Sequence, residues 1–146
     1  MLRRSLSLLL FCGVSLLPAA DATRVKLESP LKAVYDAWKT KGNAGLQAEA
    51  NARGLTLLDG NRLSVRIAAS SEKRVPQVRK ATVKYGGRIV TTDGVTLYAE
   101  VPVPKLSKLA SRSQVSAIYL DRPDQHPLNR ALNPGVPVNP SASKPK

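Results

Sequence analysis

Cysteine is almost missing from this chain. The single one, Cys12, lies inside the N-terminal apolar run. A secreted domain released from that run would have no disulfide and no thiol nucleophile, and its fold would rest on its core alone. Histidine is as scarce: His126 stands alone, in a stretch crowded with prolines. A Ser-His-Asp site needs a histidine held rigidly against an activated serine. One histidine without cysteine also leaves no usual zinc site. There is no G-x-S-x-G and no phosphate loop, and Gly86-Gly87 reads better as a helix stop. Acidic residues number only 10 against 23 Lys and Arg, and nothing among them points to a carboxylate pair of the glycosidase kind. These absences lead us to expect a protein that is not an enzyme and binds no metal or cofactor.

Long apolar runs are missing too. The N-terminus carries Arg3 and Arg4, then an apolar run from Leu6 to Leu17, then Pro18 and Ala20-Asp21-Ala22. A bilayer span needs about 20 apolar residues. A shorter run between a basic start and an A-x-A site is the layout of a secretory signal. We therefore expect residues 1–22 to be a signal peptide cut after Ala22, a secreted or periplasmic product, and no transmembrane segment afterwards. Phe11 before Cys12 is too large for a lipoprotein signal.

What is abundant is positive charge. The chain carries +13, of which Arg3, Arg4 and Asp21 in the leader account for +1. The basic residues are spread from Arg24 to Lys146 rather than gathered in one block. Lys73, Arg74, Arg79 and Lys80 would suit phosphate or an anionic surface, or form a solvated helix face. Sequence-specific readout of nucleic acid usually brings a recognisable module, and none is present. An anionic envelope polymer or an acidic protein stays open as a partner.

Ser29-Pro30 opens a helix, with Leu31, Val34, Tyr35 and Trp38 at helical spacing. Gly42-Asn43-Ala44-Gly45 interrupts it, and a second stretch from Leu46 to Arg53 ends at Gly54. Leu55 to Leu58 is a short strand candidate, followed by an Asp59-Gly60-Asn61 turn. Arg62 to Ala69 alternates, with Leu63, Val65, Ile67 and Ala69 on one side. A helix from about Lys73 to Tyr85 admits Pro76 only in its first turn. Arg88 to Thr92 is a short strand, and Val95 to Val103 a second alternating one. Lys105 to Arg112 is a short helix, and Val115 to Leu120 a last strand.

The expected fold is α+β. Residues 23–61 form an N-terminal helical segment with a short strand. Residues 62–122 form a ferredoxin-like β-α-β-β-α-β domain, and residues 123–146 a Pro-rich disordered tail. Its four antiparallel strands would have both helices on one face and would leave Ser64, Arg66, Thr96, Tyr98 and Glu100 on the other. That face is either solvated or a docking surface, and Tyr98 leans towards docking.

The ordered series Arg62-Leu63-Ser64-Val65-Arg66-Ile67, Tyr85-Gly86-Gly87-Arg88-Ile89-Val90, Tyr98-Ala99-Glu100-Val101-Pro102-Val103-Pro104, Lys105-Leu106-Ser107-Lys108-Leu109-Ala110 and Val115 to Pro123 resembles the N-terminal prodomain of secreted bacterial subtilisin-like serine proteases. The resemblance covers roughly residues 25–125. Such prodomains chaperone and inhibit the protease to which they are joined. Here no catalytic Asp, His or Ser motif follows before Lys146. The resemblance therefore implies the accessory half alone. It implies that Arg66, Thr96, Tyr98 and Glu100 pack on a protease surface and that Asp93 caps a partner helix. It also implies that Tyr119, Leu120, Asp121, Arg122 and Pro123 lie in the substrate cleft as an added strand. The expected function is a secreted binding module acting as protease inhibitor, folding chaperone or both. The alternatives are a basic envelope-associated or polyanion-binding protein and the remnant of a truncated protease.

Overall fold

The computed structural model describes residues 26–122; the proposed signal peptide and residues 123–146, Pro123 included, lie outside them. Helix α1 spans Ser29–Ala52. Strand β1 is Arg62–Ala69, and a 3-10 turn at Glu72–Arg74 leads into α2, Val75–Lys84. The hairpin strands are β2, Arg88–Asp93, and β3, Thr96–Pro102. A second 3-10 turn, Val103–Lys105, precedes α3, Leu106–Ala110, and β4 is Val115–Leu120. This is an α+β arrangement. The sheet runs β2-β3-β1-β4, with every neighbouring pair antiparallel. No helix among the described residues is long and apolar enough to cross a membrane.

Alternation on β1 and β3 decides where the core forms. Side chains two residues apart share a face. Leu63, Val65 and Ile67 of β1, with Leu97, Ala99 and Val101 of β3, line one face and are withdrawn from solvent. Leu31, Val34 and Leu46 of α1, Val78 of α2, and Leu106, Leu109 and Ala110 of α3 join the same cluster. Thus all three helices pack on one side of the sheet. Each valine, leucine or isoleucine among them contributes roughly 1.5–3 kcal/mol when fully buried.

Gly42 decides between one kinked helix and two. Its φ of 62° and ψ of −149° interrupt helical backbone inside α1, a conformation that costs glycine little. The result is two helical stretches that both reach the core, through Leu31 and Val34 before the break and Leu46 and Ala50 after it. Gly87 answers to space instead. A Cβ there would lie 2.7 Å from Thr82 Cγ2, 3.0 Å from the Thr82 carbonyl oxygen and 3.3 Å from Val101 Cγ2. Its absence lets the chain leave α2 hard against β3.

Several expectations need correction. Residues 55–58 form no strand; only a single bridge joins Leu58 to Arg62 across the turn. Ser29 is the first helical residue rather than the cap, a position taken by Glu28, which makes no side-chain cap bond. Val95 falls in the hairpin turn and is 38% exposed, because β3 begins only at Thr96.

The two sheet edges differ. Outer strand β2 carries an irregularity between Ile89 and Thr91, where Val90 is 47% exposed. Such a bulge discourages edge-to-edge pairing. The outer side of β4 is instead lined by residues 26–28. The Glu28 N–H donates to the Ile118 carbonyl at 3.0 Å, and the Ile118 N–H donates to the Lys26 carbonyl at 2.7 Å. Leu27 thereby forms a parallel bridge with Ile118.

Candidate functional site

The sheet face away from the helices is built from the intervening positions of the same strands. Register places Thr91, Tyr98, Arg66 and Tyr119 in one cross-strand row. A second row sets Arg88, Glu100 and Ser64 side by side, and the Asp121 N–H donates to the Ser64 carbonyl at 3.0 Å at its end. A third joins Asp93, Thr96, Ala68 and Ala117. Neighbours in such rows have Cβ atoms about 4.5–5.5 Å apart, so each row behaves as one strip of contact chemistry.

Arg66 is the hinge of the central row. Its guanidinium carbon lies 5.7 Å from the centroid of the Tyr119 ring, within cation–π range. Its Nε is buried and has no hydrogen-bond partner among the described residues. Glu100 is held by Arg88, whose Nε and Nη2 donate at 3.1 and 3.4 Å. Tyr119 is 42% exposed. Aromatic rings and arginine are enriched at the centres of protein interfaces.

Tyr98 departs from the expectation of an open ring. It is on this face by register, yet only 7% exposed. Tyr98 sits in an inner strand, between Thr91 on β2 and Arg66 on β1.

The remaining residues separate. Asp93 is exposed at the end of β2, just before Gly94 in the hairpin turn. Thr96 is half-buried at the start of β3. Leu120 faces the core side, opposite Val65, and its N–H donates to Glu28 Oε2 at 2.7 Å. Glu28 Oε1 also lies 3.8 Å from Arg122 Nη2. So Tyr119 and Leu120 belong to the sheet, and Arg122, exposed, stands where the chain leaves it. Reading the sequence missed Glu28 altogether. No local pattern announces a carboxylate that pairs with backbone 92 residues away.

Among the described residues no group of three His, Cys, Asp or Glu could hold a metal ion. Comparison of the chain with protein-family models, with curated proteins and with solved structures finds no match in any of the three.

Proposed function

We propose that this chain is a non-catalytic, exported binding module of the ferredoxin-like kind that docks through its open sheet face on a subtilisin-like protease. It acts there as inhibitor, folding assistant or both. The observation that carries this reading is the helix-free face on which Tyr98, Arg66 and Tyr119 stand in one row. The β-α-β-β-α-β element order over residues 62–120, with β1 and β3 at the centre of the sheet, supports the fold assignment. The chain leaves the sheet after Leu120, with the Asp121 N–H still bonded to the Ser64 carbonyl of β1, which supports a role for the segment beyond β4 as a strand offered to a cleft.

The test is a titration. The full chain, as recovered from expressing cells, is added to a panel of subtilisin-type proteases, and hydrolysis of a chromogenic peptide is followed. A saturable loss of activity at micromolar chain or below is expected. Tyr119→Ala, which removes an exposed ring, should weaken that loss about tenfold, as truncation of an interface aromatic commonly does. Absence of inhibition across the panel, together with no gain in the yield of refolded protease, would overturn the proposal.

A further inference from the structure

The helix layer carries a second surface that the sheet-face reading does not use. Val78 and Thr82 of α2 are buried against the sheet, so the opposite side of the helix points outward, away from the open face. The exposed residues of this stretch are rich in cations, with Pro76, Gln77 and Val83 among them. Lys73 and Arg74 in the preceding turn and Arg79, Lys80 and Lys84 on the helix are all exposed. Glu72 is the only acid in this stretch, and none of the five cations is in an ion pair among the described residues. The one polar contact nearby is Arg74 Nη1 donating to Gln77 Oε1 at 3.0 Å.

This arrangement is unfavourable for the isolated helix. Lys80 and Lys84 are four residues apart on one side, where like charges repel. Lys73 and Arg74 stand at the positive end of the helix dipole, where cations are disfavoured. Opposite charge laid along the helix would relieve both. From Arg74 to Lys84 the cations extend about 15 Å, at about 1.5 Å per residue. A single small anion would meet only one or two of them, whereas an extended chain of negative groups along the outer side would meet Lys73, Lys80 and Lys84, with Arg74 and Arg79 at its margins. The apolar content of this surface is slight, with Val83, 58% exposed, its one large apolar side chain. Insertion into a bilayer would need a broad apolar face.

We infer that the outer face of α2 is a docking strip for a linear polyanion, leaving the opposite, sheet side of the domain free. This inference does not depend on protease binding. The test uses fluorescently labelled polyphosphate and, in parallel, vesicles of phosphatidylglycerol and phosphatidylcholine, each titrated with the full chain at several salt concentrations. Polyphosphate should bind with an affinity that falls steeply with salt. The double variant Lys80→Glu, Lys84→Glu should weaken it at least about tenfold at low salt and flatten the salt dependence by about two charges. A charge-matched control, Lys39→Glu with Lys41→Glu, alters exposed residues of α1 and should cost less than about threefold. Circular dichroism establishes that both variants keep the fold. Equal losses in the two variants would reduce the effect to net charge and overturn the inference. Stronger binding to vesicles than to polyphosphate, or no binding to either, would overturn it as well.

Discussion

Along β1, Leu63, Val65 and Ile67 are withdrawn from solvent, whereas Ser64, Arg66 and Ala68, each one step away, keep part of their surface. The two faces of the sheet therefore differ in how far they are buried. On the helix side, apolar chains from three helices and four strands meet in three dimensions. On the other side, Tyr98 is 7% exposed and Tyr119, in the same cross-strand row, is 42% exposed. Packing against a second layer gives stability, while a half-exposed position such as Tyr119 leaves the outer surface of a ring available to something else.

The comparison can be broken most directly at Leu97, which has no exposed surface. Leu97→Ala should cost about 3 kcal/mol, read as a lower urea midpoint with an unchanged slope. Gly87→Ala comes next, at about 2 kcal/mol, because the added Cβ must displace Thr82 and Val101. It should lower the thermal midpoint by several degrees. Tyr98→Ala, adjacent to Leu97 but on the other face, should cost about 1.5 kcal/mol, since the ring lies outside the helix-side core cluster. If urea titration finds Tyr98→Ala as damaging as Leu97→Ala, the distinction between the faces collapses. Smallest is Tyr119→Ala, at less than about 1 kcal/mol, the value of a partly exposed cation–π pair. This variant sharpens the contrast if stability barely moves while protease inhibition weakens.

Much of the sheet was legible because alternation is a local signal. β1 is bounded by the residues the pattern suggested, and Leu97, Ala99 and Val101 are buried as β3 required. The helix ahead of the Gly86-Gly87 stop was legible as well, since Val75–Lys84 falls within the expected stretch. What failed depends on residues distant in sequence. Leu55 to Leu58 have strand-like composition but form only one bridge. Tyr98 looked outward by parity, yet parity assigns a face and not an exposure. In the candidate site, the Arg66–Tyr98–Tyr119 row follows from register between three strands, which no single segment specifies. Glu28 was invisible because its partners, Leu120 and Arg122, come from the other end of the described chain.

That junction of residues 26–28 with β4 also determines how the domain would respond to force. The two stretches run in parallel, and they are the first and last pieces of the described chain. Tension applied at residues 26 and 122 would slide one along the other, loading the two backbone bonds of Ile118 and the Glu28 bond to Leu120 together. Bonds strained jointly resist more than bonds opened in turn. Single-molecule stretching from those attachment points should accordingly register a higher rupture force than pulling from residues 62 and 122, and Glu28→Ala should lower it.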